Sequence, residues 1–150
     1  MIGEKVIFLL EDHPERVRRM REVLSVLLPH HTAHVENDCD DAIKWLESKQ
    51  HLVDLISLDH DLDSVDRAES PRRDHGCGRD VADYLAKQLP TCPIIIHTSN
   101  SVAGDGMFFA LQRAEWPLSR IYPYNEHEWI AKSWREEVHD LIRHGWIKRY

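Results

Sequence analysis

Short apolar runs alternate five times with segments of helical periodicity, and this alternation constrains the fold more than any other feature of the sequence. The apolar runs predict strands over 5–10, 32–36, 53–58, 93–97 and 120–122. The segments between them predict helices, the first capped by Asp12 and stopped by Pro29, the others over 38–49, 78–89, 101–114 and 126–144. Regular alternation of this kind is typical of a parallel sheet with helices on both faces. The sequence therefore predicts an α/β fold, a doubly wound five-stranded parallel sheet with strand order 2-1-3-4-5.

Three tryptophans fall in the last predicted helix or just after it. Trp134 shares the apolar face of that helix with Ile130, Val138 and Leu141 and is predicted to lie in the core. Trp129 and Trp146 are expected to pack as satellites of the core, with support of an interface as the alternative.

The length and the charge limit the class of protein. A chain of 150 residues is interpreted as a single domain over 1–150. A net charge of −7 argues against binding duplex DNA through its phosphates, and no apolar run is long enough to cross a membrane. Cys39, Cys77 and Cys92 are too few and too scattered for a disulfide framework, which favours a cytoplasmic location. A homo-oligomer is compatible with these features.

Polar residues follow three of the predicted strands at the point where each strand ends. In an open parallel sheet, ligands bind outside these carboxyl ends, at the switch point of the strand order. Strands one, three and four are neighbours in the predicted order, so their polar residues are expected to converge. The residues concerned are Glu11 and Asp12, then Asp59, His60 and Asp61, then His97, Thr98, Ser99 and Asn100.

Four carboxylates at one edge repel one another unless a cation or protons neutralise them. We expect Glu11, Asp12 and Asp59 to hold Mg²⁺ or Mn²⁺, the cations that suit hard oxygen ligands, with Asp61 as a further ligand or a supporting residue. The alternative is that Asp12 only caps a helix and that the acids of strand three are solvated.

Titratable and hydroxyl groups accompany the acids. His97, or less favourably His60, would move a proton as general acid or base, with Asp59 as the central catalytic acid. Thr98, Ser99 and Asn100 begin a helix, where backbone N–H groups and short polar side chains bind phosphate. The alternatives are a buried histidine bonded to the backbone and ordinary helix caps.

A long polar segment from Asp59 to Gly76 separates the third strand from the next helix. It contains Arg67, Arg72 and Arg73, and Arg79 follows it. One interpretation is a surface loop, and the other is a lid that brings arginine to a phosphate substrate.

These residues resemble the receiver domain of response regulators over about residues 5–142, which implies a flavodoxin-like fold. The resemblance implies that Glu11 and Asp12 bind the metal, that Asp59 accepts a phosphoryl group, and that Thr98 or Ser99 binds it. Tyr122-Pro123 stands where receivers carry Lys-Pro, which counts against phosphorelay.

Two motifs resemble a divergent branch, the cyclic-phosphate-processing receiver-like family. They are Leu58-Asp59-His60-Asp61-Leu62 and His97-Thr98-Ser99-Asn100. The resemblance implies a metal-dependent phosphoesterase-like enzyme acting on a phosphate-containing small molecule or an RNA end with a 2′,3′-cyclic phosphate. The alternatives are a receiver phosphorylated on Asp59 and an inactive receiver-like binding module.

Overall fold

The structure, a computed structural model that describes residues 3–62 and 78–150, is built on a five-stranded parallel sheet. The spatial order is β2-β1-β3-β4-β5, as the sequence predicts. All four strand pairs are parallel, and β1 and β3 lie at the centre. The strands are β1 (Val6–Leu10), β2 (Thr32–Glu36), β3 (Val53–Leu58), β4 (Ile94–His97) and β5 (Leu118–Ile121).

Helices follow the strands in the predicted alternation. Pro14 opens the first of them, where its missing N–H costs no hydrogen bond. The helices are α1 (Pro14–Leu27), α2 (Cys39–Lys49), α3 (Gly78–Ala86), α4 (Ser101–Arg113) and α5 (Arg135–Arg143), with a 3₁₀ turn at Gln50–Leu52 and a π-helical turn at Ile130–Trp134.

The sheet separates two apolar layers. Even-numbered strand residues such as Phe8, Ile56 and Ile96 pack in the layer that holds α2, α3 and α4. Odd-numbered ones such as Leu9 and Ile95 pack in the layer that holds α1 and α5. Because both faces are covered, β1 is continuously apolar, and β3 is interrupted only by Asp54 and Ser57.

Two predicted helix ends are wrong. Helix α3 ends at Ala86 and not at the predicted Leu89, which is 84% exposed just before Pro90. The last helix does not begin at Glu126, because Asn125 and Glu126 have φ angles of 48° and 58° in the left-handed region, which a right-handed helix excludes.

The π-helical turn explains why Trp129 is core, against the prediction that it packs as a satellite. The amide of Arg135 donates to the carbonyl of Ile130, five residues back. A turn of this width brings residues five apart towards one side, whereas an α-helix separates them. Trp129 and Trp134 are therefore both fully buried, while Trp146 is 57% exposed.

Several expectations concern residues outside the described ranges. Arg67, Arg72, Arg73 and Cys77 lie there, whereas Arg79, the last arginine of the proposed lid, is described and donates from Nε to Asp83 at 2.8 Å. Among the described residues, Cys39 and Cys92 are buried. Within the same ranges, no helix is long and apolar enough to cross a membrane.

Candidate functional site

The alternation of side chains along the strands brings Glu11, Asp59 and His97 to one edge of the sheet. Glu11 and Asp59 each follow the last residue of a central strand and continue its odd-numbered face. The Asp59 amide donates to the Leu10 carbonyl at 3.0 Å, which ties the ends of β3 and β1 together. His97 ends β4 on the same face, so all three side chains lie on the α1 and α5 side of the sheet.

The Glu11 carboxylate is fully buried and held on both oxygens. Its Oε2 atom accepts from the backbone amides of Asp12 and His13, at 3.0 and 3.1 Å. Its Oε1 atom lies 3.2 Å from His97 Nε2. Burial alone raises the pKa of Glu11, but the hydrogen bond and charge of His97 and the charge of Arg16 outweigh it and leave the pKa lowered. Glu11 is therefore a preformed anion.

A chain of buried hydrogen bonds fixes the His97 ring. Because the Glu11 carboxylate can only accept, His97 donates from Nε2. Nδ1 lies 2.7 Å from Ser57 Oγ, which accepts from the Trp134 indole N–H at 3.1 Å. Glu11, His97 and Ser57 have the order of a hydrolytic triad, but Ser57 is fully buried and does not reach solvent. The chain holds the ring in place beneath the acids.

Asp59 is buried with an unfavourable charge. Burial is the largest cause that raises its pKa to about 6, and the negative charge of Glu11 adds to it, while His97 and Arg16 oppose it. Its Oδ1 atom accepts from the His60 amide at 2.7 Å. The carbonyl of Asp59 passes so close to Gly78 that a Cβ atom there would lie 2.0 Å from the oxygen. The glycine that opens α3 is thus required by the path of the chain at Asp59.

Three of the four predicted metal ligands come together. Glu11, Asp12 and Asp59 each offer a ligand atom, and these atoms lie within 4.8 Å of one another. The N-cap position of α1 is occupied by His13, whose side chain makes no cap bond. Three hard oxygen donors, one partly exposed, fit Mg²⁺ or Mn²⁺ with water completing the shell. Whether Asp12 also caps the helix stays a prediction.

The remaining strand-three residues turn outward. Asp61 is exposed and its Oδ1 atom lies 2.7 Å from Nδ1 of the partly buried His60. Asp61 does not belong to the cluster of three acids. Whether His60 moves a proton stays a prediction.

The predicted phosphate-binding residues begin α4 beside the acids. Asn100 is the N-cap and its side chain accepts from the Ala103 amide at 3.0 Å. Thr98 is buried, and its Oγ1 atom accepts from the Asn100 amide at 3.2 Å. Ser99 is exposed. Their role as phosphate ligands stays a prediction.

Arg16 is a site residue that the sequence reasoning missed. It lies in the first turns of α1, and its Nη1 atom is 3.5 Å from Glu11 Oε1 and 3.8 Å from Asp59 Oδ2. Its guanidinium lies over the Trp129 ring, with Cζ 5.4 Å from the centroid. Because position 16 is only five residues after Glu11, the sequence could have predicted that Arg16 lies near the acids. Its contact with Trp129, which is far away in sequence, could not be predicted in this way.

One family matches the sequence over most of its length. The model of the family described as "Cyclic-phosphate processing Receiver domain" matches residues 7–113. This range contains all the predicted site residues. No curated protein matches the chain.

Solved receiver structures share the fold. The phosphorylated cyanobacterial phytochrome response regulator RcpA has a TM-score of 0.67 and 20% identity, over 93% of this chain and 94% of that one. The Mn²⁺-bound form of Rcp1 has a TM-score of 0.63 and 21% identity, over 97% and 96%. The response regulator domain of Thermotoga maritima CheB has a TM-score of 0.65 and 13% identity, over 95% and 96%.

Proposed function

The chain belongs to the family of cyclic-phosphate processing receiver domains, and from this premise we propose that it accepts a phosphoryl group on Asp59 in a reaction that depends on a divalent cation. The observation that carries the proposal is the position of Asp59, buried at the end of a central strand within 4.8 Å of two further carboxylates. This arrangement supports the receiver alternative more directly than the phosphoesterase that the motifs predict.

The electrostatics of the site favour a reaction with phosphate only when a cation is present. Three carboxylates repel an incoming phosphate, and the guanidinium of Arg16 offsets part of this charge. A bound Mg²⁺ or Mn²⁺ would neutralise more of it and polarise a phosphoryl oxygen. Glu11 would hold such an ion as a fixed anion, because His97 and two backbone amides orient it.

Asp59 has the geometry of an oriented nucleophile. The His60 amide holds Oδ1, so Oδ2 remains for attack on the phosphorus of a small phosphodonor such as acetyl phosphate. The new bond joins Oδ2 to phosphorus, the bond from phosphorus to the acetate oxygen breaks, and acetate leaves with the electron pair. The hydroxyl group of Thr98 would then donate a hydrogen bond to a phosphoryl oxygen.

The test is intact-mass spectrometry after incubation with acetyl phosphate and Mg²⁺. We expect the mass of one added phosphoryl group, lost with chelator and in Asp59→Asn. The matched control is Asp61→Asn, two residues away and outside the cluster, which should be phosphorylated like the natural chain. An unchanged mass with both acetyl phosphate and phosphoramidate would reject the proposal.

A second candidate is hydrolysis of a cyclic phosphate. The family description favours it, and so does Tyr122, which follows β5 at the position where receivers carry a lysine. Water would add to phosphorus, one ring P–O bond would break, and the leaving ribose oxygen would take a proton. His60 suits this step better than His97, because His97 is fully buried with both nitrogens engaged, whereas His60 pairs with the exposed Asp61.

An RNA ending in a 2′,3′-cyclic phosphate distinguishes the candidates. Hydrolysis would add the mass of one water to the RNA in the presence of Mn²⁺, and His60→Gln would slow it. An unchanged RNA together with a phosphorylated protein would reject hydrolysis and support only the receiver proposal.

A further inference from the structure

Arg16 lies near two carboxylates of the site without a short hydrogen bond to either. Its Nη1 atom is 3.5 Å from Glu11 Oε1 and 3.8 Å from Asp59 Oδ2, at or beyond the limit of a hydrogen bond. The side chain is only 19% exposed, so water does not fully solvate the guanidinium. The cation is therefore close enough to neutralise the acids and loosely enough held to change partners.

Trp129 holds the guanidinium independently of the acids. The ring of Trp129 is fully buried, donates its N–H to the Glu126 carbonyl at 3.1 Å, and stacks on His97 with 5.7 Å between centroids. Arg16 lies over this ring, where the π-face attracts the cation. If another ligand takes up the carboxylates, the guanidinium keeps this second support and stays at the site.

Arg16 also has donors to spare. A guanidinium carries five N–H donors, and among the described residues the buried Nε has no hydrogen-bond partner. The fork of a guanidinium matches the oxygens of a phosphoryl group better than two separate carboxylates. By contrast, Arg18 and Arg19 on the same helix already bond to Glu15, away from the site.

A divalent cation and Arg16 are competitors for the same oxygens. The Glu11 and Asp59 carboxylates that Arg16 contacts belong to the cluster of three acids. Two positive groups at one set of anions repel each other, whereas both attract a phosphoryl group.

We propose that Arg16 has two successive partners, namely the carboxylates of Glu11 and Asp59 in the ion-free protein and an oxygen of the phosphoryl group once a divalent cation occupies those carboxylates. This inference rests on the proposed function. It assigns to Arg16 opposite effects on the two ligands, since the guanidinium weakens cation binding and strengthens phosphate binding. A purely structural residue would not separate the two.

The experiment compares the natural chain with Arg16→Gln and Arg16→Lys, and with Arg19→Gln as a matched control on the same helix. Calorimetric titration at pH 8 first measures the affinity for Mn²⁺, and then the affinity of the Mn²⁺-loaded protein for inorganic phosphate. For Arg16→Gln we expect Mn²⁺ to bind about tenfold more tightly and phosphate about tenfold more weakly, since a unit charge a few ångströms away acts strongly at a protein site. Arg16→Lys, which keeps the charge, should retain the natural Mn²⁺ affinity, and Arg19→Gln should change neither value.

Each outcome decides a separate point. Equal or weaker Mn²⁺ binding in folded Arg16→Gln, or unchanged phosphate binding, overturns the inference about Arg16. If Arg16→Gln does not fold, the phosphate affinity of Mn²⁺-loaded Arg16→Lys decides the question. Lysine lacks the planar set of donors, so a phosphate affinity equal to that of the natural chain would overturn the inference about Arg16. A natural chain that binds Mn²⁺ and phosphate but is never phosphorylated on Asp59 overturns only the proposed function, while one that binds no Mn²⁺ overturns both.

Discussion

The Nε2 atom of His97 donates to the Oε1 atom of Glu11 across 3.2 Å, and both side chains are fully buried although 86 residues separate them in sequence. This bond joins the ends of β4 and β1 beneath the cluster of three acids. It keeps a charged carboxylate in a place where burial alone would neutralise it.

Replacing His97 should therefore destabilise the protein through Glu11. His97→Leu fills much of the same volume with an apolar side chain but leaves the buried Glu11 carboxylate and Ser57 without their partner. This should lower the unfolding free energy by about 3 kcal/mol at pH 7. Because the pKa of Glu11 is lowered, the stability it contributes is present above its ordinary value of 4.5 and is lost as the pH falls below it. The deficit of His97→Leu should accordingly shrink towards pH 4, as urea denaturation with chelator can measure. The exposed His51→Leu is the control, and a deficit equal at both pH values would contradict the role of Glu11.

Asp59→Asn should stabilise the ion-free protein. The pKa of Asp59 is raised to about 6 from 3.8, so the folded state holds a proton more tightly than the unfolded state. Ionisation of Asp59 therefore opposes folding increasingly between pH 4 and 6 and fully above that range. Asparagine removes this cost, and we expect a gain of roughly 2–3 kcal/mol at pH 7.5 that disappears near pH 4. Melting curves with chelator at pH 4, 6 and 7.5 test this, and equal curves at pH 7.5 would show that the charge is not costly.

The affinity for Mn²⁺ should depend on Asp12 and not on Asp61. Asp12→Asn removes a member of the cluster and should weaken Mn²⁺ binding by about tenfold, since one ligand and one charge are lost. Asp61→Asn should leave the affinity within about twofold, because a screened, exposed charge outside the cluster contributes little. The shift of melting temperature with Mn²⁺ concentration provides the measurement. Equal losses in the two variants would place Asp61 among the ligands after all.

Protons and the cation should compete for Asp59. Because its pKa is about 6, the affinity of the natural chain for Mn²⁺ should rise from pH 5 to pH 7 and level off above it. Titration calorimetry at pH 5, 6, 7 and 8 measures the profile. An affinity that is constant from pH 5 to 8 would be incompatible with the raised pKa.

Gly78→Ala should disturb the site from the backbone. A Cβ atom there would lie 2.0 Å from the Asp59 carbonyl oxygen, so the start of α3 or the end of β3 must move. We expect a loss of about 1–3 kcal/mol of unfolding free energy, in the range of an overpacked core, together with weaker Mn²⁺ binding. Gly3→Ala is the matched control, since nothing lies within 4 Å of its Cβ. If Gly78→Ala were as stable as Gly3→Ala, the close approach at Asp59 would not constrain the chain.

The sequence determined the sheet and the principal acids. Runs such as Val6–Leu10 and residues 94–96 are apolar throughout because both faces of an interior parallel strand are covered, which is a local signal. The alternation with helices then limits the topology to a doubly wound order. Since the carboxyl ends of parallel strands share one edge, the convergence of Glu11 and Asp59 follows without any knowledge of side-chain packing.

Only the tertiary structure decided which groups surround these acids. Asp61 is exposed and lies outside their cluster. The chain has left β3 after Leu58, so the alternation of a strand does not decide where this side chain lies. The π-helical turn buries Trp129 against a pattern read at the α-helical period, and the ring then lies beneath Arg16. His97, Ser57 and Trp134 come from three separate elements, and their hydrogen bonds exist only once the helices pack on the sheet. Periodicity records which face of an element is apolar, whereas the partner of a buried charge depends on contacts between elements that are far apart in sequence.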